Sequence, residues 1–174
     1  PNQIFVDLFY EVKTTNGGTA CVERRDVNAC PQEQSLTITE NDAPFDVTKI
    51  KATPSYRQNE VILNTEIILK QKEDGNILPP GSLISGTNTD FGYKNQRIRV
   101  NVEIDRKPAA CRQLAQGYIE LRRDQNEKVI KCTQSLTIPT DFVNIPVTVS
   151  LEYGFQKTVA GPKFNLKKEE AAYV

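Results

Sequence analysis

The pentapeptide Gln-Ser-Leu-Thr-Ile occurs twice in this chain of 174 residues, at positions 34–38 and 134–138, and each copy follows a cysteine. An Arg-Arg-Asp tripeptide precedes each copy, at positions 24–26 and 122–124. Similarity that keeps its order along a chain is typical of a duplicated structural unit. The repeat therefore predicts that the two halves of the chain share one arrangement of secondary structure.

Apolar and polar residues alternate along most of the chain, which predicts β-strands. The clearest segment is 145–155, where apolar residues occupy every second position: Val147, Val149, Leu151, Tyr153 and Phe155. Similar segments recur at intervals of about ten residues with turn residues between them, a pattern typical of all-β sandwiches and barrels. With the repeat, it predicts an all-β fold of two tandem small Ig-like β-sandwich domains from an internal duplication. One larger β-sandwich is the alternative.

The predicted domain boundaries follow the repeat. Residues 1–76 form the first sandwich, residues 77–96 a linker, and residues 97–174 the second sandwich. The linker contains Leu83, Ile84 and Phe91, which are too apolar for a bare flexible connection, so it is expected to pack against a domain. The Cys…Trp…Cys arrangement of antibody domains is absent because the chain has no Trp.

Two further segments are predicted to be turns because of their glycine and proline content. The first is Asn16-Gly17-Gly18, which is expected to end a strand that begins at Gln3. The second is 158–162, which contains Gly161 and Pro162 and is expected to separate two strands near the end of the chain.

The four cysteines fall two to each repeat, at Cys21, Cys30, Cys111 and Cys132. An even number predicts two disulfides and an oxidising compartment, hence an extracellular or cell-surface protein. The repeat favours the pairs Cys21–Cys30 and Cys111–Cys132. If residues 25 and 26 form a two-residue hairpin loop, the first pair also lies directly opposite across two strands. Four buried free thiols are the alternative.

The sequence lacks the residues and motifs on which several classes of function depend. The chain has no His, no glycine-rich phosphate loop and equal numbers of basic and acidic residues, 22 of each. It is therefore predicted to be neither an enzyme nor a nucleic-acid-binding protein, and to need no cofactor. Its apolar runs are too short to cross a bilayer. A carboxylate-based hydrolase or a sugar-binding module remains a distant alternative.

Acidic loops raise the question of calcium binding. Glu40, Asp42 and Asp46 lie close together in the sequence, and Asn88 with Asp90 forms a second polar segment. Calcium takes several oxygen ligands from loops of this kind, but no EF-hand spacing is present. No metal site is predicted, and the loops are interpreted as solvated.

The N-terminal strand, predicted at residues 3–14, is apolar on both faces. One face carries Ile4, Val6, Leu8, Tyr10 and Val12, and the other carries Phe5 and Phe9. A strand that is apolar on both sides needs a cover on both sides. It is either a central strand or interdomain contact of its own fold, or a strand that completes the sheet of a neighbouring subunit.

These features together predict a non-enzymatic extracellular structural protein. The favoured hypothesis is a surface filament or pilus-like subunit that assembles by β-strand addition through its N-terminal strand, so that its partner is another copy or another surface protein. The alternative is a tandem Ig-like spacer or ligand-binding ectodomain of a larger cell-surface protein. A chain that begins at Pro1 and contains no Met is expected to be processed or to be part of a longer protein.

Overall fold

The regular structure of this chain consists of β-strands. A computed structural model describes residues 2–39, 41–57, 60–82, 96–122 and 125–164, and within these ranges it contains no helix, hence none that could cross a membrane. The strands are β1 (Asn2–Glu23), β2 (Gln34–Leu36), β3 (Phe45–Arg57), β4 (Glu60–Gln71), β5 (Asn76–Leu78), β6 (Gln96–Ile104), β7 (Lys107–Pro108), β8 (Ala110–Cys111), β9 (Tyr118–Leu121), β10 (Glu127–Leu136) and β11 (Phe142–Phe164).

The strands form two antiparallel sheets, an arrangement consistent with a β-sandwich. The first sheet has the order β1-β11-β6-β7, with β5 paired to β11 and β9 paired to β6. The second has the order β2-β3-β4-β10-β8. The alternating segment near the C terminus faces the space between the sheets, and Val147, Tyr153 and Phe155 have no exposed surface. One apolar cluster joins the inner faces of both sheets.

Each sheet takes strands from both halves of the chain, unlike the predicted pair of separate sandwiches at 1–76 and 97–174. In the first sheet β1 pairs with β11, from Asn2 opposite Phe164 to Glu23 opposite Phe142. In the second, β4 pairs with β10. This pairing fits the alternative of one larger sandwich, and the duplication and the Ig-like type are not confirmed. Of the predicted linker, Ile77 and Leu78 are buried in β5, whereas residues 83–95 lie outside the described ranges.

The turn predicted at Asn16-Gly17-Gly18 is wrong, because β1 passes straight through these residues. The glycines allow close approach of neighbouring strands instead of a reversal of the chain: Gly18 faces β2 of the other sheet, and Gly17 lies against β11 of its own sheet. A Cβ atom on Gly18 would lie 2.7 Å from the Cβ of Leu36, and one on Gly17 would lie 2.9 Å from the carbonyl oxygen of Val147. A side chain at either position would therefore force the neighbouring strands apart.

A buried polar cluster joins the middle of β1 to the opposite sheet. Asp46 on β3 is fully buried, and its Oδ1 accepts hydrogen bonds from Asn16 Nδ2 at 2.6 Å and Thr14 Oγ1 at 3.2 Å. Its Oδ2 lies 3.7 Å from Lys72 Nζ. Next to it, the Tyr153 hydroxyl donates to the carbonyl oxygen of Phe45 at 2.6 Å and accepts from its backbone N–H at 2.8 Å. The bonds to Asp46 fix Thr14 and Asn16 of β1 against the core.

Gln34, the first residue of the first pentapeptide, binds the free edge of β1. Its Oε1 accepts from the backbone N–H of Cys21 at 2.8 Å, and its Nε2 donates to the carbonyl oxygen of Cys21 at 2.7 Å. The side chain thus replaces a neighbouring strand at that position. Gln134, the equivalent residue of the second pentapeptide, makes no such bond to a strand edge among the described residues and donates to the adjacent Ser135 carbonyl oxygen at 3.3 Å.

Replacing Gln34 by alanine is expected to lower the free energy of unfolding by about 1–2 kcal/mol, because both bonds to Cys21 are lost. The matched control, Gln134→Ala, is expected to change it by less than about 0.5 kcal/mol. Urea denaturation of both variants measures the difference. Equal losses in the two variants would show that the bonds to Cys21 contribute nothing specific.

Candidate assembly surface

Residues 2–10 of β1 and 155–164 of β11 form a two-stranded segment at one end of the sandwich, called the arm below. The pairs Phe5–Ala160 and Tyr10–Phe155 set its register, and a bulge lies between Gln3 and Phe5. On the far side of β11, pairing with β5 reaches only Gln156. The outer edge of β1 pairs with no strand among the described residues. Among the described strands, none pairs with the outer edge of β1, and none pairs with the far edge of β11 beyond Gln156.

One face of the arm continues the buried face of β1 beyond the core. Ala20 and Val22 on this face are fully buried, and Val12 is 7% exposed. Farther along the same face the exposure rises to 37% at Tyr10, 46% at Leu8, 47% at Val6 and 55% at Ile4. Val159, the partner of Val6 on β11, is 41% exposed. The second sheet thus covers β1 only as far as Val12, and an apolar surface extends past it.

The opposite face of the arm mixes aromatic and charged residues. Phe5 is 64% and Phe9 is 41% exposed. Between them Asp7 accepts a hydrogen bond from Thr158 Oγ1 at 2.6 Å. Towards the core, Glu11 accepts from the backbone N–H of Gly81 at 3.0 Å, and Lys13 forms an ion pair with Glu152 at 2.6 Å. Charge on β1 therefore lies on this face, and none lies on the continuing apolar face.

The two open edges of the arm differ in composition. Between Ile4 and Tyr10 the strand β1 has no Pro, Gly or Lys and carries a single charge, Asp7. The β11 edge contains Gly161, Pro162 and two lysines, which are residues that commonly block pairing at an exposed edge. The β1 edge lacks that protection and has the composition of a self-associating strand.

A surface cleft lies beside β1 where the arm meets the sandwich. It has a volume of about 460 Å³ and is lined by residues 10–15 of β1 and residues 41–44 of the loop before β3. Because six consecutive residues line it, belonging to both faces of the strand, the cleft lies along the edge of β1. It offers space for an extended segment next to the strand.

Electrostatics at the base of the arm are set by local contacts. The hydrogen bond from Lys13 lowers the pKa of Glu152, although burial opposes it, and the nearby charge of Arg99 adds to the lowering. Burial raises the pKa of Tyr10, and the carboxylate of Glu73 raises it further. Tyr10 is therefore a neutral, partly apolar side chain at neutral pH, in contact with the ring of Phe155 at a centroid distance of 5.6 Å.

The predicted assembly residues all lie on β1, but they differ in burial. Six of them are exposed in the arm: Ile4, Phe5, Val6, Leu8, Phe9 and Tyr10. Val12 differs because it is buried in the core. The sequence also missed the second strand of the arm. The turn predicted at 158–162 is wrong, since β11 continues through Phe164 as the partner of β1.

The four predicted disulfide cysteines form the two pairs that the repeat favoured. Cys21 bonds to Cys30 and Cys111 bonds to Cys132, with Cα–Cα distances of 5.5 and 4.0 Å. Residues 24–33 form a loop instead of the predicted hairpin. Its conformation is held by the buried Glu23 carboxylate, which accepts hydrogen bonds from the backbone N–H groups of Ala29 and Cys30.

The acidic loop that raised the question of calcium is divided between different environments. Asp42 is exposed, whereas Asp46 is buried and bonded to Asn16 and Thr14. Glu40, Asn88 and Asp90 lie outside the described residues. The described residues include no cluster of three metal-ligating side chains of the acidic, His or Cys type. The buried carboxylate has a structural role in joining the two sheets.

The repeated tripeptide and pentapeptide meet at the other end of the sandwich. A surface cleft of about 900 Å³ is lined there by Arg24, Arg25 and Asp26 from the first tripeptide, and by residues 135–138 of the second pentapeptide. Tyr56 and Glu60 also line it, and Glu60 accepts a hydrogen bond from Ser135 at 3.0 Å. This polar cleft lies at the opposite end of β1 from the arm.

Comparisons with models of protein families, with curated proteins and with solved structures found no significant match to this chain. Functional inference therefore starts from the arm, whose exposed apolar face and open edge are the most unusual features of the described structure.

Proposed function

We propose that this protein is a structural subunit of an extracellular filament, in which subunits join by β-strand addition at the N-terminal strand β1. The observation that carries the proposal is the apolar face of the arm beside an open strand edge. Added strands bind through main-chain hydrogen bonds, and their alternate side chains pack on the face beneath. The arm offers both kinds of contact at one place.

The exposed apolar surface of the arm is more typical of a protein interface than of an isolated monomer. Ile4, Val6, Leu8 and Tyr10 stand in a row on one face, and each exposes at least 37% of its surface. Contiguous apolar surface of this kind on a soluble protein typically marks a contact with another molecule. Burial of such side chains contributes about 25 cal/mol per Å² of apolar area. A neighbouring subunit would provide this cover.

The disulfides support the extracellular part of the proposal. Two disulfides are present, and the described residues include no free cysteine. Disulfides persist in oxidising compartments such as the cell exterior. The absence of His from the sequence removes the side chain most often used as an acid or base catalyst, which favours a structural over an enzymatic function.

The alternative is an Ig-like spacer or ligand-binding ectodomain of a larger protein. The geometry of the arm makes the spacer less suitable, because Asn2 and Phe164 are partners in one strand pair. Flanking segments attached at these positions would leave from the same end of the sandwich. A domain connected in this way would project to one side of a longer chain and would add little to its length. The ectodomain version would use the arm to bind a different surface protein.

The test replaces two exposed arm residues, Val6→Thr with Leu8→Thr. Threonine keeps the strand propensity and removes apolar area. The loss of about 1 kcal/mol for each half-buried side chain is expected to weaken association on the order of tenfold to thirtyfold. Electron microscopy and sedimentation velocity of the intact protein measure assembly. Wild-type protein is expected to form filaments, and the double variant is expected to remain as subunits at the same concentration.

The matched control is Phe142→Thr. Phe142 is 52% exposed and lies on β11 opposite Glu23, at the far end of the β1–β11 pair. This variant is expected to assemble like the wild type. The proposal is overturned if the wild-type protein forms no filaments at any concentration, or if the control loses assembly as completely as the arm variant.

A further inference from the structure

We infer that the joint is a symmetric one, in which β1 pairs antiparallel with β1 of a second copy and Tyr10 lies opposite the partner's Tyr10. This inference rests on the proposed function and specifies the partner strand and its register. It follows from three properties of β1: its unprotected edge, the order of its charges, and the cleft beside residues 10–15.

The choice of edge follows from the composition of the arm. The β11 edge carries Pro162, which lacks a backbone N–H for a new ladder, and Lys157 and Lys163. The β1 edge between Ile4 and Tyr10 has none of these obstacles. An added strand therefore fits β1 better than β11, and a second β1 supplies a segment with the same high strand propensity.

The charges of β1 select the direction and narrow the register. A parallel pairing in register would place Asp7 beside the partner's Asp7. An antiparallel pairing with Phe9 on the two-fold axis would place Asp7 opposite the partner's Glu11. With Tyr10 on the axis, Asp7 lies opposite the partner's Lys13, and this pair occurs twice by symmetry. Opposite charges across neighbouring strands stabilise pairing and like charges destabilise it.

The cleft beside residues 10–15 favours the register with Tyr10 on the axis over a second register that also pairs opposite charges. An axis at Val12 would also pair opposite charges, Glu11 with the partner's Lys13, but it would leave Asp7 opposite Gly17. With the axis at Tyr10, the residues that line the cleft, 10–15, lie opposite residues 5–10 of the partner. The exposed half of the partner's strand thus runs through the available space.

The same register joins the apolar faces. Residues at even positions of both strands lie on one side of the joined sheet, so Leu8 lies opposite the partner's Val12 and Val6 opposite the partner's Thr14. The uncovered face of each arm thereby becomes continuous with the core-facing side of the other subunit. A two-fold joint closes on itself and alone gives a dimer, so growth of the proposed filament requires a second joint between dimers at another surface.

The experiment uses two single variants of the full chain, Asp7→Lys and Lys13→Asp. In the inferred register each variant alone places two like-charge pairs at the joint, and its self-association is expected to weaken on the order of tenfold. A mixture of the two variants restores both opposite-charge pairs. The mixed complex is expected to form with an apparent dissociation constant within about threefold of the wild type. Sedimentation of differently labelled chains measures each case.

A control mixture separates register from overall charge. Glu11→Lys changes the net charge by the same amount as Asp7→Lys, but in the inferred register residue 11 lies opposite the partner's Phe9. In its mixture with Lys13→Asp, one Asp7 still lies opposite a carboxylate at position 13 of the partner. The mixed complex is therefore expected to be weaker than that of the first mixture. Circular dichroism of each variant confirms that the strands are retained.

The outcomes separate the two proposals. If wild-type protein assembles but the first mixture associates no better than either variant alone, or no better than the control mixture, the inferred register is overturned and the proposed function stands. If the wild-type protein forms dimers but no filaments, the proposed function fails and the inferred joint stands. If it does not assemble at all, both fail.

Discussion

Replacing Asp46 by alanine is expected to lower the free energy of unfolding by roughly 2–5 kcal/mol, a large effect for a single polar side chain. The carboxylate is fully buried, and its removal leaves the amide of the buried Asn16 without its acceptor at 2.6 Å. It also removes the acceptor of Thr14 and the counter-charge of Lys72, whose Nζ lies 3.7 Å from Oδ2. Each buried donor left unpaired costs about 1–3 kcal/mol.

Two further variants show which part of the carboxylate matters. Asp46→Asn keeps an oxygen for Asn16 and Thr14 but loses the charge opposite Lys72, so its loss is expected to be smaller than that of Asp46→Ala. Asp42→Ala alters an exposed carboxylate of the loop just before β3 and is expected to change stability by less than about 0.5 kcal/mol. Guanidinium denaturation measures all three. A loss for Asp46→Ala as small as that for Asp42→Ala would contradict this account.

The position of this cluster links stability to the arm. Thr14 and Asn16 are the last residues of β1 before the arm that bond to the opposite sheet through side chains. The next core contact towards the N terminus is Val12, and beyond it the apolar face is exposed. In Asp46→Ala, faster hydrogen exchange is therefore expected first in residues 12–16 of β1, and then in the arm.

Local sequence patterns predicted the strands and the disulfides, because both depend on residues close together in the chain. The alternation from Val147 to Phe155 placed these side chains correctly on the buried face of β11. Two cysteines per repeat indicated the pairs that formed. The two-faced pattern of Ile4 to Tyr10 also indicated a strand with unusual requirements for cover. These features need no knowledge of distant partners.

The pairing of strands could not be predicted in the same way. β1 and β11 are separated by more than a hundred residues, and their alternating patterns are compatible with many partners and registers. The glycines at 17 and 18 were misleading for a related reason. Glycine is required at these positions because Leu36 and Val147 approach closely, and both belong to strands that are distant in the sequence. In a sequence alone, a pair of glycines is more typical of a turn. Tertiary contacts decide both cases.

The Asp46 cluster shows why the burial of a polar residue could not be predicted from the sequence. In the sequence, Asp46 belongs to an acidic group with Glu40 and Asp42, and a solvated loop was the natural interpretation. Its burial depends on donors from β1, some thirty residues earlier in the chain. A single Asp at the start of a strand, between Phe45 and Val47, gives no signal that distinguishes a buried network from a surface carboxylate.

Removing the Cys111–Cys132 disulfide, by replacing both residues with alanine, is expected to lower the free energy of unfolding by about 3 kcal/mol. The bond closes a segment with a sequence separation of 21. Within it the chain leaves β8 of one sheet, forms β9 beside β6 in the other sheet, and returns to β10. Opening it gives the unfolded chain many more conformations, because that segment is long.

The Cys21–Cys30 disulfide provides the matched comparison. Its sequence separation is 9, so the same chain-entropy relation gives a loss that is smaller by about 0.8 kcal/mol. Glu23 also continues to hold the backbone of residues 29 and 30 when this bond is absent. Urea denaturation of both double-alanine variants, without reductant, measures the order of the two losses. A larger loss from the shorter segment would mean that the disulfides act through contacts in the folded state.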